Sequence, residues 1–300
     1  MIETTLIHSP LESSATADDY WQLLKPRVMT LVVFTGVAGL LLAPGPIHPV
    51  IALASILCLA VGSGAAGALN MWYERDIDAV MDRTKARPLP QKRLHPGEAL
   101  GFGLTLAIGS VLVMYTLVNF WAAFYLACAI LFYVIVYTMW LKRITPQNIV
   151  IGGAAGALPP VIGWVSVMNE TAPLAWVMFG IIFLWTPPHF WALALYRHDD
   201  YAKAKVPMLP VVSGIEMTKN KILYYILALI PLTFFPVYHQ DLGSVYGGVA
   251  LFLNILFLVF ALKVKLSDKP KEGLRLFFYS IFYLFFLFAA MIIDKFVVMI

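Results

Sequence analysis

The chain has 300 residues, 61% of them hydrophobic and 13% charged, with a mean hydropathy of +0.81 and a formal net charge of +4. That composition excludes a water-soluble globule, and apolar runs of about 17 to 25 residues recur along the chain, so it reads as an all-α, polytopic membrane protein. The small positive charge reflects where the bases sit and gives no ground for nucleic acid binding.

Residues 1–24 form a polar lead-in carrying Glu3, Glu12, Asp18 and Asp19. They have neither the basic start and short apolar core of a secretory signal nor the Arg-rich, acid-poor character of a mitochondrial presequence, so the expected location is a bacterial inner membrane. One transmembrane domain is expected over 25–300, with apolar segments near 28–43, 49–73, 98–118, 120–141, 149–168, 173–195, 222–238, 243–262 and 275–293. Of these nine predicted spans, the division at Asn119 is the least marked, because no charge separates the third from the fourth. Alternate connections hold 20 of the 21 Lys and Arg, leaving only Lys295 on the other side. The positive-inside rule then predicts an N-in, C-out topology, with the basic loops in the cytoplasm. Cys58 and Cys128 fall within spans and read as small buried apolar residues.

An internal repeat is visible. Lys25-Pro26-Arg27 precedes the first span, and Lys142-Arg143 with Pro146 precedes the fifth; small-residue segments ending at Pro44 and Pro160 follow. One span further on, each half reaches a polar cluster, at Asn70 and at His189, 119 positions apart. The expectation is two four-helix repeats, about 25–141 and 142–262, and a ninth helix near 275–293, with a site where their cytoplasmic ends meet.

The first cluster, Asn70 to Pro90, packs four acids, four bases and two prolines into 21 residues. If the second span stays helical to Asp78, then Asn70, Glu74 and Asp78 at i, i+4 and i+8 lie within about 80° of one another. Asp76 points elsewhere, and Asp82 drifts off the line. Carboxylates beside a carboxamide are hard ligands suited to Mg2+, and Arg83, Lys85 and Arg87 follow to meet an anion such as a phosphate. A solvated loop in which these acids and bases pair with one another fits the same spacing.

The second cluster ends the sixth span. Pro187 and Pro188 remove backbone donors and are expected to kink or break the helix there. Beyond them His189, Tyr196 and Asp200 share one line along a helix, flanked by Arg197 and Asp199. Lys203 and Lys205 then repeat the acid-then-base order, and a histidine inside a span marks a candidate site; a hydrogen bond between helices is its ordinary alternative.

Together these stretches resemble the UbiA-type intramembrane prenyltransferases, whose first signature is matched in order by Asn70, Glu74, Asp78, Arg83, Thr84, Arg87, Pro88 and Leu89. Met71 and Glu74 stand where many members have Asp, and His189 and Tyr196 replace acids of the second signature. Those departures, with Y-T-x-x-L-K-R-x-T-P-Q-N from Tyr137 and W-T-P-P-H-F-W from Trp185, resemble the heme-farnesylating branch. The resemblance implies farnesyl diphosphate as donor, heme B as acceptor and Mg2+ as cofactor. It also implies Asn70, Glu74, Asp78, Asp199 and Asp200 as metal ligands, and Asn70, Glu74, Asp78, Arg83, Arg87, His189 and Tyr196 as catalytic residues. Lys25, Arg27, Lys142, Arg143, Trp185, Arg197 and Lys203 become candidate substrate contacts. His189 stays open between iron ligation, a propionate contact and action on water. The implied partners are the bilayer and the next enzyme of heme A synthesis or a terminal oxidase. Competing readings are an aromatic prenyltransferase of quinone synthesis, a transporter, and a non-catalytic heme-binding membrane protein.

Overall fold

A computed structural model describes residues 15–298 of the chain. The part of the polar lead-in before residue 15 lies outside the described residues. The remainder is helical: Thr16 caps α1 (Ala17–Leu23) in a reciprocal capping box with Asp19. Lys25, in the left-handed region at φ 52°, then turns the chain by 52° into α2 (Pro26–Leu42).

The other elements follow as α3 (Pro49–Tyr73), α4 (Arg75–Val80), α5 (Pro96–Leu117) and α6 (Phe120–Leu131), the last continuing through a π-helical stretch, Phe132–Leu141, into α7 (Lys142–Ile144). Then come α8 (Asn148–Ala157), α9 (Pro159–Met168), α10 (Pro173–Tyr196), α11 (His198–Lys203), α12 (Leu209–Ser213), α13 (Ile215–Tyr238), α14 (Ser244–Leu266) and α15 (Pro270–Val298). Among the described residues eight helices are long and apolar enough to cross a membrane, with α8 and α9 making one span, and a ninth span arises if the bent α1–α2 pair is counted. The nine segments expected from the sequence fall on these helices. The last ones run longer than their apolar cores because the charged first turns of α13 and α15 are helical too.

Prolines start many of these helices, where the missing N–H costs nothing. At the break between α5 and α6, Asn119 Oδ1 accepts from the Ala122 amide at 2.8 Å while its Nδ2 donates to the Val165 carbonyl at 2.8 Å. That capping side chain, not a charge, separates the two spans. Of the kink or break expected at the proline pair, the break does not occur: α10 runs unbroken through Pro187 and Pro188 and ends at Tyr196, where α11 follows after Arg197. Surrounding helices pack both prolines in the core, which holds the helix together despite the lost donors.

Neighbouring spans pack in chain order, and α15 returns against α2. Contact between the halves is close where α2 meets α9: a Cβ on Gly39 would lie 2.0 Å from the Pro160 carbonyl oxygen, and one on Gly163 2.0 Å from that of Gly36. Small residues let membrane helices approach to backbone contact. At the end away from the polar clusters, Asp294 is fully buried and accepts from the amides of Gly243 and Tyr246, capping α14. Its neighbour Lys295 donates to the carbonyls of Leu41, Leu42 and Ala43 at 2.9–3.1 Å, capping α2. One turn of α15 thus ties the last helices to the first.

Candidate active site

The first cluster sits where α3 hands over to α4. Glu74 occupies the junction, yet its amide still donates to the Asn70 carbonyl at 2.9 Å and its carbonyl accepts from the Asp78 amide at 2.8 Å. The i, i+4, i+8 register therefore survives the bend, and Asn70, Glu74 and Asp78 are all buried, at 2%, 2% and 3% exposure. Each meets a base. Lys25 Nζ donates to Asn70 Oδ1 at 2.5 Å, Lys142 Nζ lies 2.5 Å from both carboxylate oxygens of Glu74, and Arg87 Nη1 donates to Asp78 Oδ2 at 2.7 Å.

Two threonines that sequence reasoning did not assign to the site complete it. Thr138 Oγ1 accepts from Asn70 Nδ2 at 2.9 Å, orienting the carboxamide so that its oxygen faces Lys25. Thr84 Oγ1 donates to the Asp78 carbonyl at 3.0 Å and turns the following loop back. Thr138 reaches its partner from the π-helical stretch and Lys142 from the residue that follows it, with Tyr137 under the Lys142 ammonium, 5.8 Å from the ring centroid. An apolar run gives no signal for π winding.

Asp76 and Asp82 lie outside this face. Asp76 is exposed and pairs with both terminal nitrogens of Arg143 at 2.7–2.8 Å, while that guanidinium lies over Tyr73. The Arg143 hydrogen bonds hold the Asp76 carboxyl below its ordinary pKa range. Asp82 pairs with Lys85 at 2.6 Å and is also held low, first by Lys85 and then by Lys203 and Arg197 of the second cluster. The two clusters therefore face each other. Their contact is apolar beneath: Ile77 and Met81 pack with Tyr201, Val206 and Met208. Arg83 is exposed on the same loop, whereas Arg27 is exposed and has no ion pair or hydrogen bond to the cluster.

The second cluster departs from the predicted straight line, because the helix ends at Arg197 and restarts as α11. The restart buries Asp200, whose Oδ2 has no hydrogen-bond partner and lies 3.7 Å from Arg197. Asp199 is turned out, its side chain 91% exposed and paired only with His198. Asp199 is thus not brought to the first cluster as a metal ligand. Tyr196 is half-buried beneath the Arg197 guanidinium, and Lys203 is exposed.

His189 lies apart from the first cluster. It faces α15, its ring stacked between Trp185 at 4.3 Å and Phe277 at 4.5 Å, with Nδ1 2.6 Å from Ser280 Oγ. Trp185 Nε1 donates to the Ser280 carbonyl at 2.8 Å. Among the described residues no hydrogen bond, ion pair or ring contact joins His189 to Asn70, Glu74 or Asp78. Ser280 Oγ also lies 2.6 Å from the Phe277 carbonyl, so its hydroxyl bridges the ring of His189 and the backbone of α15.

A cavity of about 120 Å³ opens beside the first cluster. Lys25 stands at its polar end; Val28, Val32, Ala155, Gly156 and Pro159 line its apolar body, and Tyr133 flanks it. Among the described residues no three His, Cys, Asp or Glu side chains converge tightly enough to hold a metal ion as they stand. The donor set fits Mg2+ all the same: hard, buried oxygens on Asn70, Glu74 and Asp78, with an unpaired carboxylate oxygen on Asp200 in the facing cluster.

A helical membrane bundle with paired oxygen-ligand and cation clusters at one end, above an apolar cavity, has the architecture of an intramembrane prenyltransferase. Residues 32–288 match the UbiA prenyltransferase family, and the chain belongs to that family. It is 52% identical over 300 residues to the protoheme IX farnesyltransferase of Granulibacter bethesdensis, covering 97% of this chain and 95% of that one. The protoheme IX farnesyltransferase of Rhodopseudomonas palustris strain BisB5 is 54% identical over 290 residues, covering 95% of this chain and 93% of the relative. In fold, a digeranylgeranylglyceryl phosphate synthase structure matches 92% of this chain and 97% of its own at a TM-score of 0.78 and 16% identity. A UbiA homologue from Archaeoglobus fulgidus bound to GPP and Mg2+ matches 91% and 99% at 0.62 and 15%.

Proposed function

We propose that the protein transfers the farnesyl group of farnesyl diphosphate to a vinyl group of heme B, with a hydroxyl from water, giving heme O and diphosphate. The observation that carries this reading is the continuity between the cation-lined polar cluster and the apolar cavity at Lys25. Such a site suits a molecule with a doubly charged anionic head and a hydrocarbon tail. The identity to protoheme IX farnesyltransferases supports the acceptor.

Asn70, Glu74, Asp78 and Asp200 would hold Mg2+, which neutralises the diphosphate and assists departure of the leaving group. Lys25, Lys142 and Arg87, now each against an oxygen ligand, turn to the phosphate oxygens, with Arg83 at the loop edge. As the allylic C–O bond breaks, its electron pair leaves on diphosphate, and these fixed cations stabilise the charge that develops there. Tyr133 and Tyr137 flank the reacting carbon and shield the allylic cation. The vinyl π electrons then form the new C–C bond, and water adds to the resulting cation beside the porphyrin and loses a proton. His189 serves as iron ligand, as a contact to a propionate or as acceptor of that proton.

The site faces the cytoplasm in this reading, as the distribution of bases requires. Expression in cells lacking heme O, followed by heme extraction and mass spectrometry, tests the reaction. Heme B gaining a hydroxyfarnesyl group is expected. Its absence, with Glu74→Gln behaving like the unaltered protein, overturns the proposal.

A further inference from the structure

Tyr201 belongs to the second cluster, and neither the sequence motifs nor the steps above give it a task. It lies on α11 directly after Asp200, with its backbone held on both sides: its amide donates to the Arg197 carbonyl at 3.2 Å and its carbonyl accepts from the Val206 amide at 3.1 Å. The helix restart after Arg197 turns this residue inward, leaving it only 7% exposed. It shares an apolar cluster with Ile77 and Met81 of α4, and Tyr137 packs against the same cluster.

The ring is anchored, but its hydroxyl is not. Buried phenols elsewhere in the bundle spend their O–H on a protein acceptor: Tyr246 on the Thr233 carbonyl at 2.7 Å, and Tyr283 on Asn254 Oδ1 at 2.9 Å. That is the ordinary behaviour of a tyrosine withdrawn from water. The Tyr201 hydroxyl makes no hydrogen bond among the described residues, and its oxygen is not one of the atoms sealed from solvent. An unspent donor on so deeply buried a residue is therefore open to a ligand.

Its surroundings say which kind. Tyr201 is within electrostatic reach of the Lys142 ammonium and of the Tyr137 hydroxyl, and Tyr137 in turn of Glu74 and Arg83. The phenol thus enters, from the second half, the space that the first cluster encloses, whereas Asp199 is turned out to solvent. A phenol offers one O–H donor without adding charge, and an anionic oxygen held by Lys142 is the acceptor that this donor lacks.

We propose that Tyr201 is a further catalytic residue, donating a hydrogen bond to the diphosphate of the prenyl donor. This rests on the reading that the site binds a prenyl diphosphate. As the allylic C–O bond breaks, its electron pair passes to the leaving diphosphate and the hydrogen bond strengthens with the growing negative charge. No proton changes hands.

The full chain, purified in detergent with Mg2+, allows binding and turnover to be read separately. Calorimetric titration with farnesyl thiolodiphosphate, an unreactive donor analogue, reads binding, and heme O formation reads turnover. Tyr201→Phe keeps the ring and its packing, so an unchanged thermal midpoint is expected. Its affinity for the analogue should fall roughly tenfold and its kcat on the order of 10²-fold. Tyr201→4-aminophenylalanine, which restores an N–H donor at the end of the ring, should recover most of both. Affinity and kcat of Tyr201→Phe within about twofold of the unaltered protein overturn the proposal, as does an equal loss in the 4-aminophenylalanine variant. An unaltered protein that binds no analogue and makes no heme O overturns the underlying reading as well; normal binding and turnover in both variants overturn the role of Tyr201 alone.

Discussion

The Lys142–Glu74 pair shows why single residues matter so much in this site. Both groups are largely withdrawn from water and each compensates the other; removing one partner of such a pair leaves an uncompensated buried charge costing about 3–5 kcal/mol. Lys142→Met is therefore expected to lower thermal stability in detergent as well as heme O formation. Glu74→Gln keeps the shape and is expected to reduce turnover by about 10²–10³-fold while the protein still accumulates in membranes; unchanged turnover would remove Glu74 from the mechanism. Asp76 behaves differently because it is exposed and paired with Arg143. Its folded pKa is depressed, so its contribution is present above the unfolded carboxylate value of about 3.9 and is lost as pH falls below it. The stability difference between the unaltered protein and Asp76→Asn should be flat from about pH 5 to 9 and shrink towards about pH 3, measured by thermal shift.

At the scale of elements, the π-helical stretch decides which side chains reach the site. One residue more than an α-helix requires lets Thr138 bond Asn70 while Lys142, at the end of the same rod, still reaches Glu74. Deleting lipid-exposed Trp140 is expected to restore α winding and to shift Lys142 out of its present register with Thr138. Heme O synthesis should then fail although the protein still inserts; normal synthesis would show that the winding is dispensable. The α2–α9 contact is the other decisive element. A Gly39→Leu side chain has no room against the Pro160 backbone, so this variant is expected to lose its single peak in detergent gel filtration, whereas leucine at Gly109, which has open space around it, is tolerated.

For the whole molecule, a ring of helices is closed by α15, with the reactive clusters at one end and the Asp294–Lys295 tie at the other. Polar groups at both ends are anchored in opposite ways. The tie satisfies backbone groups that lipid could not, whereas the clusters hold charges that a ligand can use. The orientation proposed from the bases is tested by placing a cysteine at exposed Asp82. Labelling by a membrane-impermeant thiol reagent is expected in inverted vesicles and not in intact spheroplasts; the reverse pattern would turn the site to the outside.

Sequence alone determined the helical membrane class and the approximate segments, because only long apolar helices satisfy their own backbone in lipid. It also placed Asn70, Glu74 and Asp78 on one face, since a four-residue spacing is local geometry that the bend at Glu74 leaves intact. What only the tertiary structure decided depends on contacts between distant segments. Lys25, Lys142 and Arg87 find their particular partners through the packing of α2, the π-helical stretch and the loop after α4. Asp200 is buried and Asp199 exposed because the chain restarts its helix at His198. His189 faces α15, where its Nδ1 meets a serine 91 residues away. Spacing along a chain reports which residues share a helix face; which neighbour that face meets is settled by packing across the bundle.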